Sequence, residues 1–183
     1  QVIVAARYPG LGHGDIDLAK VFAWRNWMLL GEGGRVGVVL PRSVLFGLGT
    51  TEWRRDVLKK GSFESVNFLT NTNQWAFSGL DVRYTVSLVT LVQGSQSRLS
   101  FSGPHHSMEE FVKGRANPIV VPVDEFTTWS DGCSFPQVPD AHSGQILSRM
   151  KKSPRFDSTA DFEFRPVAEL HASGDRGLYE TDL

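Results

Sequence analysis

One pair of titratable side chains stands out in the sequence, His105 and His106. Consecutive residues of a strand point to opposite faces of a sheet, so the two rings would not share one ligand. No cysteine or carboxylate stands at the spacing that a zinc site requires. We therefore expect no metal site. No set of Ser, His and Asp lies in a local motif that would indicate a hydrolase.

Glycine-rich segments and a cluster of cations are the other features that could bind a ligand. Residues 31–34 (GEGG) and 47–49 (GLG) lack the strand-to-helix context of a phosphate-binding loop, so both are predicted to be turns. The cations fall on one short helix: Arg54, Arg55, Lys59 and Lys60. Phosphate contact is one interpretation of this cluster. A solvated face, with favourable charge at the helix C-terminus, is the one that we favour.

The overall composition limits the classes of protein that fit. With 19 basic and 20 acidic residues, the chain has no broad polycationic surface for non-specific binding of nucleic acid. Any DNA contact must then be local or supplied by another part of the protein. Cys133 is the only cysteine, which excludes an internal disulfide and indicates a reducing, cytoplasmic location. No apolar run approaches the roughly 20 residues that a membrane-spanning helix needs.

The first part of the chain predicts alternating helices and strands. A helix begins at Asp17, buries an apolar face and ends at the glycines of 31–34. Its apolar face is expected to contain Leu18, Val21, Phe22, Met28, Leu29 and Leu30. Residues 35–40 are continuously apolar, which is typical of a strand buried on both faces in a parallel sheet. A second helix then extends to about Lys60, where two lysines and a glycine favour its end.

Two further strands are predicted at 64–69 and 82–92, the second with clear period-2 alternation. The loop of residues 70–81 between them is too short for the crossover that a parallel pair needs. The strand at 82–92 should therefore run antiparallel to its neighbours. Together these elements predict an α/β fold.

From residue 94 onward the pattern becomes less regular. Short strands are predicted at 98–103 and 118–126, with a short helix between them. Residues 130–144 are predicted to be a linker, and a short helix follows before Pro154. A domain boundary is therefore expected between about residues 128 and 145.

Three segments of the sequence resemble the sequences of a known protein family. They are DLAKVFAWRNWMLLGEGGRVGVVLP at 17–41, TTEWRRDVLKKG at 50–61 and NTNQWAFSGLDVRYTVSLVTLV at 71–92. In sequence and spacing they resemble the helices, strands and base-contacting loop that follow the catalytic loop of gamma-class adenine-N6 DNA methyltransferases. Such enzymes belong to restriction-modification systems, including the type IIG-like ones, and to phage-defence systems. The resemblance covers roughly residues 7–93, about half of the chain.

The resemblance implies a partial Rossmann-like methyltransferase fold, with an antiparallel last strand and a less regular α+β extension. Residues 1–128 would be the C-terminal half of the catalytic domain, and 129–183 a linker and the start of the target-recognition region. A looser similarity to single-chain methyltransferase-nucleases lies at 139–147 and in AELHASGD at 168–175.

The resemblance also assigns roles to individual residues. Phe77 matches the aromatic residue that stacks on the adenine flipped out of the duplex, with Trp75 as the second candidate. The alternative is that the Phe77 side chain only packs the hairpin onto the core, and we favour the stacking role. Phe22 matches an aromatic residue that packs on the adenine of S-adenosylmethionine, although a Phe on an apolar helix face is usually a core residue. Asp17 could cap its helix or line the cofactor pocket, and the cap is the interpretation that we favour.

Two hallmarks of the family are absent, namely a Phe-x-Gly-x-Gly loop and an Asn/Asp-Pro-Pro-aromatic tetrapeptide. We therefore expect no catalytic residue in this chain, catalytic residues upstream of Gln1, and little or no cofactor binding by the chain alone. Expected partners are double-stranded DNA and the missing N-terminal half of the domain, with no membrane contact. Two alternatives stay open: a non-catalytic DNA-binding or specificity module, and an unrelated α/β enzyme.

Overall fold

The chain forms a mixed α/β fold around one five-stranded sheet, seen in a computed structural model that describes residues 8–11, 17–94 and 96–154. The strands are β1 (Arg35–Pro41), β2 (Gly61–Thr70), β3 (Thr85–Gln93), β4 (Arg98–His105) and β5 (Ile119–Pro122). The helices are α1 (Leu18–Met28), α2 (Thr51–Lys60), α3 (Met108–Ala116), α4 (Val123–Thr128) and α5 (Ala141–Lys151). Short 3₁₀ turns span Arg42–Leu45, Leu48–Thr50 and Thr72–Gln74.

The strand order is β1-β3-β2-β4-β5, with β3 antiparallel to both of its neighbours. Val89 of β3 stands opposite Val38 of β1 on one side and Val66 of β2 on the other. The antiparallel arrangement predicted for residues 82–92 is therefore confirmed, with the strand beginning at Thr85. β4 runs parallel to β2, and β5 runs antiparallel to β4.

One face of the sheet, which we call the inner face, carries Val66, Phe68, Val89, Leu91 and Phe101, all almost fully buried. Side chains from α1, α2, α4 and the segment after α4 cover it. The covering residues include Ala23, Trp24, Trp27, Trp53, Val57, Phe126, Trp129 and Phe135. Several of the rings pack edge-on or tilted against one another, with centroid distances such as 4.8 Å between Phe63 and Phe135. The inner face therefore holds the hydrophobic core.

The face of α1 that packs on the core differs from the predicted one. Asp17 caps the helix as expected, its carboxylate accepting from the Lys20 amide at 2.8 Å. Four of the predicted inner residues are largely exposed instead: Leu18, Phe22, Met28 and Leu29. Trp24 and Trp27 take the buried side, because their indole N–H groups find acceptors in the Pro9 carbonyl and the Asp56 carboxylate. An indole can thus be buried with its polar atom satisfied.

β1 also differs from its prediction as a strand buried on both faces of a parallel sheet. Within the described residues it pairs with β3 alone, and it does so in antiparallel orientation. Its residues alternate between exposed and partly buried, and 54% of Val39 is exposed. An apolar run thus identified the strand but not the neighbours that surround it.

The chain after β4 follows the prediction in part. α3 and α5 lie where helices were expected, but Pro122 ends β5, and α4 replaces the second half of the predicted strand. In the segment predicted as a linker, Cys133, Phe135 and Val138 are buried in the core. The domain boundary between about 128 and 145 stays a prediction. The extension from residue 155 to 183, including the 168–175 similarity, lies outside the described residues.

No helix in the described ranges combines the length and the apolar character that crossing a membrane requires.

Candidate functional site at the carboxyl edge of the sheet

Three strands that run in the same direction end at one edge of the sheet. β1 ends at Pro41, β2 at Thr70 and β4 at His105, while the antiparallel β3 begins there at Thr85. In α/β folds, ligands commonly bind outside the carboxyl ends of parallel strands. The loop of residues 71–84, which contains Trp75 and Phe77, leaves β2 at this edge.

The 71–84 loop is organised by the side chain of Asn71, which is fully buried. Its amide nitrogen donates to the Phe77 carbonyl and to the Leu80 carbonyl, both at 2.9 Å. Its amide oxygen accepts from the Phe77 backbone N–H at 3.0 Å. One side chain therefore holds both backbone polar groups of Phe77.

The two aromatic side chains of this loop are placed differently. Trp75 is partly buried, and its indole N–H donates back to the Thr70 carbonyl at 2.8 Å, which ties the ring to the end of β2. Phe77 is also partly buried and carries no polar atom that fixes its ring. The structure brings both predicted base-stacking candidates into one loop at the expected edge. Their stacking role stays a prediction.

The loop is joined to the end of β4 as well. The Thr72 hydroxyl and Nδ1 of His106 lie 3.1 Å apart, within hydrogen-bond distance. The His106 backbone N–H donates to the Glu110 carboxylate at 2.7 Å. The aromatic loop is therefore connected to the start of α3 and does not extend alone into solvent.

A second element of the edge is the turn that follows β1. The Arg42 guanidinium lies 4.5 Å from the centre of the Phe46 ring, a cation–π contact, and 43% of Phe46 is exposed. Leu48, in the next turn, is 81% exposed. This edge thus presents apolar surface with a cation beside it.

Arg54, one of the four cations on α2, holds the turns after β1 together. It is fully buried, which corrects its prediction as part of a solvated face. Its guanidinium donates to the Val44, Gly47 and Gly132 carbonyls at 2.9 to 3.0 Å, and to the hydroxyls of Thr50 and Thr51. Loss of hydration through burial lowers the pKa of Arg54 to about 10, so the group remains charged at neutral pH.

The other three cations of α2 follow the prediction. Arg55 and Lys60 are exposed and pair with the carboxylates of Glu52 and Asp56 on the same helix, and Lys59 is also exposed. Surface pairs of this kind contribute little to stability.

Beneath the edge, a chain of buried polar groups joins β2 to the end of β4. The Ser102 hydroxyl donates to the Asn67 amide oxygen at 2.9 Å and lies 2.9 Å from Nε2 of His105. Burial lowers the pKa of His105, partly offset by the nearby Glu110 carboxylate. The ring packs against Phe111 and directly against Gly114 of α3. His105 also lines a cavity of about 650 Å³ between α3 and the start of α5.

The predicted cofactor-contacting residues lie on a separate element, α1. Phe22 is 56% exposed, which contradicts its interpretation as a core residue, and Asp17 is engaged as the helix cap. α1 contacts β1 and the turn of residues 42–45. Among the described residues, no group of three His, Cys, Asp or Glu side chains could hold a metal ion.

Sequence reasoning missed Asn71 and misplaced Arg54. Asn71 had a recognisable signal, because an Asn at the start of a polar loop often bonds to backbone a few residues ahead. Arg54 had none, since its acceptors lie in three separate turns, one of them at Gly132, 78 residues further along the chain.

Two solved structures share this fold. One is a modification subunit of a putative type I restriction enzyme from Vibrio vulnificus YJ016, matched over 72% of this chain and 32% of its own length, with a TM-score of 0.50 and 14% identity. The other is a chain of a type I R-M system from a study of complex assembly, matched over 74% of this chain and 36% of its own, with a TM-score of 0.55 and 16% identity.

The chain thus shares the fold of a part of these two type I restriction-modification structures and spans about a third of the length of each. No protein-family model and no curated protein sequence matches it.

Proposed function

We propose that the chain is the second half of the catalytic domain of an S-adenosylmethionine-dependent DNA adenine-N6 methyltransferase, from a restriction-modification or phage-defence system. One observation carries the proposal. A partly exposed Phe77, in a loop held by hydrogen bonds, lies at the carboxyl edge of a sheet whose fold is that of type I modification subunits. The similarity of segment 71–92, which holds this loop and most of β3, to the family supports the same assignment.

The contribution of this chain to the reaction is to hold the target base. Adenine N6 is stacked and paired in a duplex, so the base must leave the helix before its amine can react. An aromatic face stabilises an extruded base by roughly 1–3 kcal/mol. Phe77 would supply that face, and Trp75, whose N–H is already bonded to Thr70, would line the same loop. The catalytic Pro-Pro loop would belong to the part of the domain upstream of Gln1.

The residues of α1 fit one wall of a cofactor site. Phe22 offers an exposed apolar ring, and Asp17 an exposed carboxylate at the start of the same helix. S-adenosylmethionine, when bound, supplies the methyl group. A small-molecule site normally encloses most of its ligand, whereas one exposed ring covers a single side. The rest of the enclosure would come from the first half of the domain.

The outer face of the sheet supports a partner of this kind. Over β1 and β3 it carries an open groove of about 300 Å³, lined among others by Gly37, Val39, Leu88 and Thr90. The side of β1 away from β3 has no strand partner within the described ranges. We propose that the N-terminal half of the domain pairs and packs here, and that DNA lies across the carboxyl edge. Residues 129–183 would lead towards target recognition. We also propose a cytoplasmic location, which a single cysteine favours without excluding others.

A pair of substitutions tests the two proposed binding roles against each other. In the protein at its full length, Phe77→Ala should weaken binding of DNA with an extrudable adenine by about tenfold, the loss of one stacked base. Its affinity for S-adenosylmethionine should stay unchanged. Phe22→Ala should lower the cofactor affinity and leave the DNA affinity intact. If Phe77→Ala has the melting temperature of the parent and binds DNA with unchanged affinity, the base-stacking role is refuted.

The chain of residues 1–183 alone should be inert. Titration with S-adenosylmethionine in a calorimeter should show weak binding or none, because Phe22 would form one wall only. Micromolar affinity, or methyl transfer to adenine by this chain, would show that it is not half of a catalytic domain.

A further inference from the structure

The hydrogen bonds around Asn71 assign it a role that the family resemblance does not supply. We propose that Asn71 is a positioning residue, which fixes the backbone of Phe77 so that its ring faces the extruded base. The proposal rests on the proposed function, since it concerns how the stacking ring is held.

The loop needs such an anchor because it contains little regular structure of its own. Between the end of β2 and the start of β3 its only 3₁₀ turn spans Thr72–Gln74. Asn73 and Gln74 in this turn have positive φ angles of 54° and 57°, a backbone region that residues other than glycine seldom adopt. Ordering each residue costs about 1–2 kcal/mol of backbone entropy. The loop must therefore be held by specific contacts.

Asn71 provides these contacts at the position of Phe77. Its amide closes two hydrogen bonds on Phe77, one to the N–H and one to the carbonyl, and a third reaches the Leu80 carbonyl. Its own backbone N–H donates to the Tyr84 carbonyl at 3.0 Å, which ties the anchor to the far end of the loop. With both polar groups of Phe77 held, its Cα–Cβ direction is fixed relative to the sheet edge.

The amide chemistry is specific to this arrangement. Asparagine offers two donors and an acceptor on one planar group, and all are used here. An aspartate of the same shape would keep the acceptor but would turn oxygens toward the carbonyls of Phe77 and Leu80. An alanine would leave these groups without their partner.

A ring fixed before binding does not have to lose freedom when the base arrives, and this raises affinity. Loss of Asn71 should therefore reduce DNA affinity through Phe77 without removing Phe77. The effect should also vanish when Phe77 is absent, because the two residues act on one contact.

The test compares Asn71→Ala, Phe77→Ala and the double variant in the protein at its full length. The probe is a DNA duplex with 2-aminopurine opposite an abasic site, whose unpaired base is easily extruded. Asn71→Ala should weaken binding several-fold, up to the roughly tenfold loss expected for Phe77→Ala. The double variant should be no weaker than Phe77→Ala. The matched control is Thr72→Val, which removes the hydrogen bond between the same loop and His106 without touching the Phe77 backbone.

A second readout needs no DNA. Hydrogen exchange of the Phe77 amide should accelerate at least about tenfold in Asn71→Ala, because its acceptor is lost. It should stay slow in Thr72→Val. Asn71→Ser is polar, but its side chain is too short to bridge the loop, so it should behave as Asn71→Ala. If Asn71→Ala does not fold, Asn71→Ser takes its place in the test.

The outcomes separate the two proposals. Full DNA affinity in Asn71→Ala, with Phe77→Ala weakened, overturns the positioning role and leaves the proposed function intact. Additive losses in the double variant overturn it too. Full affinity in Phe77→Ala overturns the proposed function itself.

Discussion

The two faces of the sheet differ in composition and in how completely they are covered. The inner face packs aromatic and aliphatic side chains under α1, α2 and the segment after α4. Arg54, a fully buried charged group in the described part of this side, is surrounded by acceptors. The outer face carries the polar chain of Asn67, Ser102 and His105 under α3, and over β1 and β3 it stays open as a groove.

This difference shows that the described residues bury the inner face with their own side chains but leave part of the outer face uncovered. The inner face excludes water and leaves its large side chains buried. The outer face leaves 54% of Val39 exposed beside a groove that other residues could fill. Substitutions on the inner face should therefore affect the fold strongly, and those on the open part of the outer face should affect it little.

The largest effect is expected at Arg54. Arg54→Met keeps an unbranched side chain of similar length but removes the donors to three buried carbonyls and two hydroxyls. The Val44 and Gly47 carbonyls keep a hydrogen bond from the Thr50 hydroxyl, but each bond to the charged guanidinium that is lost contributes about 1.5–3 kcal/mol. The free energy of unfolding should therefore fall by about 3 kcal/mol or more, on the same scale, as measured by urea denaturation.

Arg55→Met is the matched control for this change. Arg55 is the next residue of the same helix, and it is exposed. Its pair with Glu52 has an N···O distance of 2.9 Å but lies in solvent, so its loss should cost less than about 1 kcal/mol. Similar losses in both variants would contradict the structural role of the buried guanidinium.

A smaller effect is expected where α3 covers the outer face. A Cβ at Gly114 would lie 2.1 Å from Cε1 of His105, whose ring is held by Ser102 and Phe111. Gly114→Ala should therefore lower the free energy of unfolding by about 1–3 kcal/mol through overpacking, although alanine favours a helix by about 1 kcal/mol. Thermal unfolding measures the change.

Gly37→Ala tests the open part of the same face. A Cβ at Gly37 meets no atom within 4 Å, and the stability should change by less than about 0.5 kcal/mol. A large loss there would mean that the groove is not open.

The fold was predictable where the signal was local. Asp17 identified the start of α1 because a side-chain cap acts within one turn. The short loop before β3 identified its antiparallel direction, because loop length limits topology. The buried side of α1 was not predictable, since the partners of Trp24 and Trp27 are Pro9 and Asp56, and the latter lies on another helix.

The candidate site also has features that were predictable from local sequence and features that were not. The position of the Phe77 loop followed from its place between two strands. The burial of Arg54 could not follow from residue type, because arginine is mostly exposed and its acceptors come from separate turns. The exposure of β1 depends on the strands that flank it. A single apolar run in the sequence does not identify those strands.

A pH-dependent effect is expected from the titration of His105. Burial lowers the pKa of His105 in the folded chain, so the folded state favours the neutral ring. The unfolded ring takes up its proton near pH 6.5. The stability held by the neutral ring is therefore fully present above about pH 6.5 and is lost as the pH falls from there through the folded pKa.

The lowered pKa values of Asp81 and Asp140 affect stability only below about pH 4, where unfolded aspartates protonate. The melting temperature should therefore decline between about pH 7 and 5 in the parent chain and less steeply in His105→Gln. His106→Gln makes the same change at the exposed neighbour and should retain the decline of the parent. Equal slopes in all three proteins would exclude His105 as the group that makes this fold sensitive to mild acid.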